Sequence, residues 1–177
     1  MAISKEVQKS SDLKFDGKLI KVTYDIAEVN GRDAWREVVH HPGATAIVAI
    51  TNDGKIVMER QFRYALGRPV LEIPAGKLDP KESPLHCAQR EVAEETGYRA
   101  KDWTDLGLIC TSPGFCDEVL HLYLARDLEA GETNWDPDEY VELEYMTLDQ
   151  VLAAMAKEDI KDAKSLAALM LALPHLK

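Results

Sequence analysis

The spacing of apolar residues changes several times along the chain, and each change predicts an element. Across residues 15–40, "FDGKLIKVTYDIAEVNGRDAWREVVH", Leu19, Val22 and Tyr24 fall near alternation. "VNG" is a turn signal there and "AWREVVH" a second run, so a hairpin or meander is expected. "HPGATAIVAITNDGKIVMERQFRY" then holds two β-rich runs split by "NDG", a strong hairpin-turn signal. "PVLEIPAGKLD" reads as a short strand entering a Pro/Gly loop. A helix is predicted next, from Ser83 to Thr96. Ser83 is a good N-cap, and Pro84 suits the first helical position, where no N–H partner is needed. Leu85, Ala88 and Val92 form an apolar stripe, and Gly97 fits the position just past the last turn. "WTDLGLICTSPGFCDEVLHLYLARDL" reads as two strands around a loop at "SPGFCDE", followed by an acidic loop, "EAGETNWDPDEY", and a strand, "VELEYMTL". Thr147 and Gln150 form a capping box for a helix at "TLDQVLAAMA", and "KDAKSLAALMLALPHLK" is an amphipathic helix. Strands, one central helix, more strands and then helices predict an α/β or α+β sandwich without repeats or low-complexity tracts.

Composition narrows the class. The 177 residues, 46% hydrophobic and 29% charged, suit one soluble globular domain or one domain with a small appendage. The longest apolar runs, "AIVAI" and "LAALMLAL", fall far below the roughly 20 residues that span a bilayer. "MAISKEVQKSSDLK" has no apolar stretch of signal-peptide type, so a cytoplasmic protein with no membrane partner is expected. Cys87, Cys110 and Cys116 show neither a CxxC pair nor metal-ligand spacing, and read as buried or idle thiols of a reducing compartment. The net charge of −10 argues against a nucleic-acid partner. It also means that an anionic substrate would need a cation between itself and this surface.

One segment concentrates acids: "GKLDPKESPLHCAQREVAEETGY", residues 76–98. On a helix, Glu91, Glu94 and Glu95 stand at i, i+3 and i+4 and share one side, expected to lie opposite the apolar stripe. Such like-charge pairs cost a few tenths of a kcal/mol each, and they fall in the last turns, where the helix dipole disfavours negative charge. A solvated acidic face is the ordinary reading of such a run. A hard divalent cation is the alternative: Mg²⁺ takes oxygen ligands, one or two carboxylates together with substrate phosphates and water. Arg90 is expected to pair with Glu82, or with a spare oxygen, and so to fix the helix to its loop.

Gly76, five residues, Glu82, seven residues and then "REVAEETGY" reproduce the pattern GX5EX7REUXEEXGU, with Val92 and Tyr98 at its two apolar places. The sequence therefore resembles a Nudix hydrolase. The resemblance implies a Nudix-type α/β/α sandwich with a mixed sheet over residues 43–177. It also implies a small N-terminal antiparallel β-sheet over residues 1–42, exchanged across a homodimer. The chemistry implied is hydrolysis of a nucleoside diphosphate linked to another group, with Mg²⁺, or Mn²⁺ in its place, neutralising the pyrophosphate and activating water. Glu91 and Glu95 are the implied main metal ligands, with Glu94 sharing a metal or a bound water and the Ala75 carbonyl contributing from "PAG". Arg90 and Glu94 also join the implied catalytic set.

The flanks resemble the ADP-ribose pyrophosphatase group. Pro113 follows Tyr98 at fifteen residues, a marker of that group, and "RQFRY" with "LEIPAGKLD" is similar to its lead into the box. By that resemblance Arg63 reaches the substrate's phosphates or terminal ribose, with Arg60 and Glu82 beside it in the binding set. Trp35 is implied to stack on adenine, and Glu118, in the Pro113 loop, to line the distal ribose site. Glu139 is the implied general base, with Asp136, Asp138 and Glu142 near enough to compete. The expected activity is Mg²⁺-dependent cleavage of ADP-ribose, or a related nucleoside-diphosphate sugar, to AMP (or NMP) and a sugar phosphate. The alternatives are another dinucleotide or an oxidised nucleotide as substrate, or a nucleotide sensor that binds without hydrolysing.

Overall fold

The computed structural model describes residues 4–134 and 140–176. Contacts divide the chain into two units, Met1–Gly43 with Cys110–Val119, and Ala44–Ile109 with Leu120–Lys177.

In the first unit β1 (Val7–Asp16), β2 (Lys21–Val29) and β3 (Arg32–His40) form an antiparallel sheet in that order. Asn30 and Gly31 join β2 to β3 with φ of 54° and 75°, the left-handed pair that a tight two-residue hairpin turn requires. β1, "VQKSSDLKFD", is exposed at every position, and its apolar alternation is confined to Leu13 and Phe15 at one end. The 110–119 segment is stitched to β3: Val39 N donates to Phe115 O at 2.7 Å, and Asp117 N to Val39 O at 3.1 Å. His40 Nδ1 lies 2.6 Å from Asp117 Oδ2.

The second unit contains β4 (Ala44–Ala49), β5 (Ile56–Arg63), β6 (Arg68–Glu72), β7 (Ala75–Lys77), α1 (Pro84–Thr96), β8 (Tyr98–Cys110), β9 (Val119–Ala130), β10 (Val141–Met146), α2 (Leu148–Ala156) and α3 (Ala163–Ala172). Its strands form two sheets, ordered β7-β4-β9-β8 and β10-β5-β6. β4 runs parallel to β9 and antiparallel to β7, which makes the larger sheet mixed. The "NDG" turn forms, with Thr51 N bonded to Lys55 O at 2.8 Å, but it does not close an extended hairpin. Only the Ile50–Ile56 bridge joins the flanking runs, because β4 and β5 continue into different sheets.

Strand alternation sorts the core into two sides. Ala46, Val48, Leu122 and Leu124 pack with Val151 of α2 and Leu169 of α3. Their neighbours in sequence, Ile47, Ala49, Tyr123 and Ala125, pack with Ala88 and Val92 of α1. Helices thus cover both faces of the mixed sheet, the expected α/β/α layering. Among the described residues no helix is long and apolar enough to cross a membrane.

The caps of α1 form as predicted: Ser83 Oγ accepts from His86 N at 3.3 Å, and Gly97, at φ 73°, donates to Ala93 O. The expected stripe needs correction. Leu85 is 39% exposed, and the buried side comprises Cys87, Ala88, Glu91, Val92, Glu95 and Thr96. Glu91 and Glu95 therefore lie beside the apolar stripe, not opposite it: at 100° per residue they share an arc of about 100° with Ala88 and Val92. The Thr147–Gln150 capping box opens α2, and Asp162 caps α3.

Candidate active site

The site begins where α1 meets β7. Glu95 is 2% exposed and accepts a hydrogen bond from Ala75 N at 3.1 Å; Glu91 is 9% exposed. A Cβ added to Gly76 would stand 1.8 Å from the Glu91 carboxylate, so the absence of a side chain lets that carboxylate press onto the strand.

Arg90 gathers the remaining acids. Its Nε and Nη2 donate to Glu82 at 3.1 and 2.9 Å, while Nη1 donates to Glu91 at 2.8 Å and Glu94 at 3.0 Å. Nη2 also reaches Lys77 O at 3.2 Å, tying helix, loop and β7 together. The Arg90 hydrogen bond, helped by Asp79 N and His86, holds the Glu82 carboxyl at about 2. Those carboxylates, Glu82 foremost, push the Arg90 guanidinium above its ordinary range. Like-charge repulsion among the acids of the helix and its loop is thereby divided: Glu82, Glu91 and Glu94 share one guanidinium, and Glu95 takes a peptide N–H.

Hard oxygen donors from Glu91 and Glu95 next to the Ala75–Gly76 backbone suit a divalent cation, and their burial favours a nearby positive charge. Among the described residues no three His, Cys, Asp or Glu side chains form a ready-made cage. Mg²⁺ needs none, since water and substrate oxygens complete its shell.

A second set lies on β5, β6 and α3. Glu59 and Glu72 are opposite one another in the β5–β6 register and are 0% and 1% exposed. Arg63 Nε donates to Glu72 Oε1 at 2.6 Å. Burial lowers the Arg63 pKa, but the Glu72 hydrogen bond and the charges of Glu72, Glu59 and Glu95 together raise it. Arg63 thus feels the Glu95 carboxylate of α1 as well as those of its own sheet. Lys164 pairs with Glu72 Oε2 and with Asp162. Glu59, Glu72 and Lys164 were not singled out from the sequence; a glutamate inside the apolar run "VLEI" was the available signal. Arg60 Nε instead donates across the sheet to Glu144 at 2.7 Å.

Trp35, Pro113 and Glu118 belong to the first unit. Trp35, on β3, is 61% exposed and lines a hollow of about 670 Å³ with Arg36, Glu37, Gly114 and Phe115. Phe115, the second aromatic there, was missed although "SPGF" carries it. Pro113 and Glu118 line an adjoining hollow of about 620 Å³ with Arg36 and Phe115. Glu118 accepts from Thr111 Oγ1 at 2.7 Å and lies 3.4 Å from His41 Nδ1. Glu139, Asp136 and Asp138 lie outside the described residues; Glu142 is exposed on β10, opposite Arg60 in register. The thiol of Cys87 is buried, which pushes it up to about 11.

Two outcomes follow from the carboxylate turn. Gly76→Ala should displace the Glu91 carboxylate and lower kcat about 10²-fold, the scale of a 1 Å misplacement, with the fold retained by circular dichroism. Because the Glu82 pKa is depressed from 4.5 to about 2, its stabilising contribution is fully present above about 4.5 and is lost as pH falls toward 2. Urea denaturation of the wild type and Glu82→Gln should therefore differ most near neutral pH and converge toward pH 2.

A model of the NUDIX domain matches residues 39–169. The chain is 45% identical over 154 residues to an ADP-ribose pyrophosphatase of Bacillus subtilis (strain 168), covering 85% of this chain and 83% of that protein. It is 44% identical over 158 residues to a methanol dehydrogenase activator of Bacillus methanolicus, covering 88% and 85%. The crystal structure of an ADP compounds hydrolase matches with a TM-score of 0.87 at 23% identity, over 99% of this chain and 96% of that one, a likeness of fold. Proteins of this family generally depend on a divalent metal. With the box residues gathered around Arg90 and the family model spanning both α1 and the strands that frame it, the chain belongs to the Nudix family.

Proposed function

We propose that the chain hydrolyses the pyrophosphate bond of ADP-ribose, or of a related nucleoside-diphosphate sugar, to AMP (or NMP) and a sugar phosphate. Mg²⁺ is the proposed cation, with Mn²⁺ able to replace it. The observation that carries this reading is the burial of Glu91 and Glu95 against the Ala75–Gly76 backbone, with Arg90 drawing in Glu82 and Glu94. When bound, the cation supplies charge neutralisation at the pyrophosphate and lowers the pKa of water.

The chain's own residues divide the remaining work. Arg63 binds phosphate oxygens, Arg90 orients the carboxylates, and Trp35 offers its exposed face to adenine. Glu118 stands by for the distal ribose, and Glu139 takes the proton from the attacking water. Val7, Leu13 and Phe15, each more than half exposed on β1, support exchange of the N-terminal sheet in a homodimer. The charge of −10 supports a small metal-chelated substrate over a nucleic acid. Three free cysteines support a cytoplasmic setting.

The similarity to a methanol dehydrogenase activator favours a second reading, in which the chain raises the turnover of a dehydrogenase. Adding the chain to such a dehydrogenase distinguishes the two, particularly if Glu95→Gln abolishes hydrolysis but leaves the activation.

With Mg²⁺ and a panel of ADP-ribose, GDP-mannose, UDP-glucose, NADH and diadenosine tetraphosphate, chromatography should show AMP released fastest from ADP-ribose and none in EDTA. Another substrate faster by about tenfold, a pocket-scale discrimination, would overturn the choice of ADP-ribose. Glu139→Gln should lower kcat about 10²–10⁴-fold, and a loss below about fivefold would move the base to Asp136, Asp138 or Glu142.

A further inference from the structure

We propose that Lys164 is a positioning residue for hydrolysis: by occupying one oxygen of buried Glu72 it stops Arg63 from closing its fork on that carboxylate, and so keeps Arg63 available for phosphate. The proposal rests on the reading of the site given above.

Glu72 is 1% exposed, and its oxygens are divided between two cations. Arg63 Nε donates to Oε1 at 2.6 Å and Lys164 Nζ to Oε2. The hydrogen bond of Arg63 to Glu72 is made through Nε; the two Nη atoms carry four further N–H donors. The side chain of Lys164 is 13% exposed, while that of Arg63 is 39% exposed. The assembly therefore runs from a buried anchor to a guanidinium at the surface.

Lys164 is an odd choice for its position. It is the second residue of α3, in the first turn, where the helix dipole disfavours a cation. The Asp162 carboxylate, 2.9 Å away, offsets this and fixes the ammonium from the other side. Neutralising Glu72 does not by itself require a lysine, because an arginine fork matches both oxygens of a carboxylate. Nor is a buried ionic cluster a strong source of stability compared with apolar packing. With Oε2 taken, however, Arg63 is limited to a single Nε bond. That bond sets the plane of the guanidinium and leaves its outer edge unspent. Without Lys164, Glu72 would hold Arg63 through two parallel bonds and withdraw it from the substrate.

The test is a mutant cycle on Lys164 and Arg63, read as KM and kcat for ADP-ribose with Mg²⁺, alongside thermal midpoints. Lys164→Met should raise KM about tenfold with kcat changed less than about threefold, as expected for the loss of a charge-assisted bond to the substrate. Lys164→Arg should restore most of the affinity. In an Arg63→Ala background Lys164→Met should have no further effect on KM. Lys164→Leu, which likewise leaves Oε2 without a donor, serves if the Met variant does not fold. An unchanged KM in a folded variant that leaves Oε2 unoccupied, Lys164→Met or Lys164→Leu, overturns the proposal, whatever happens to the midpoint. So does a KM effect that persists in full without Arg63. A wild type that does not cleave ADP-ribose overturns the functional reading first, and is distinguishable because no variant is needed to see it.

Discussion

Two carboxylates pressed against a strand are the constraint on which the rest of the site depends. Glu91 and Glu95 share the buried side of α1 with Cys87, Ala88 and Val92, so the contact that anchors the helix to the sheet also drives two acids inward. An acid buried in this way requires hydrogen bonds or positive charge. Gly76 supplies the space, Ala75 N supplies one bond, and Arg90 supplies the charge. Apolar packing and acid placement cannot be altered separately, because rotating α1 to release the carboxylates would expose Ala88 and Val92.

Charge in the second unit is organised around two arginines with different tasks. Arg90 is consumed by its neighbours: it meets Glu82, Glu91, Glu94 and a backbone carbonyl. Arg63 is spared, since Lys164 shares its carboxylate partner. The first is a fastener; the second is the arginine to which the proposed function assigns phosphate. Acids still exceed cations around α1, β5 and β6, which explains how a chain of charge −10 can be suited to an anionic ligand: a divalent cation belongs between them.

Much of this was legible in the sequence, for identifiable reasons. The caps of α1 and α2 are local, so Ser83, Pro84, Gly97, Thr147 and Gln150 could be read one turn at a time. The box spacing was read because its residues lie on one loop and one helix. Non-local features were harder. β1 alternates only at Leu13 and Phe15, and its pairing with β2 cannot be seen from "VQKSSDLKFD" alone. "NDG" turns the chain, but whether the runs on either side pair is decided by which sheet each strand completes. Leu85 looked like stripe because it stands only about 20° from Val92 around the helix; it is exposed at its place in the first turn of α1, which angle alone does not reveal. Glu72 and Lys164 are 92 residues apart and meet only in the fold.

A cation site made by α1 and β7 together would show itself in calorimetric titration of Mn²⁺ into the wild type and Glu95→Gln. Binding to the wild type is expected, with an affinity lower by at least about tenfold in the variant and its thermal midpoint retained. Equal Mn²⁺ affinity in two folded proteins would contradict it.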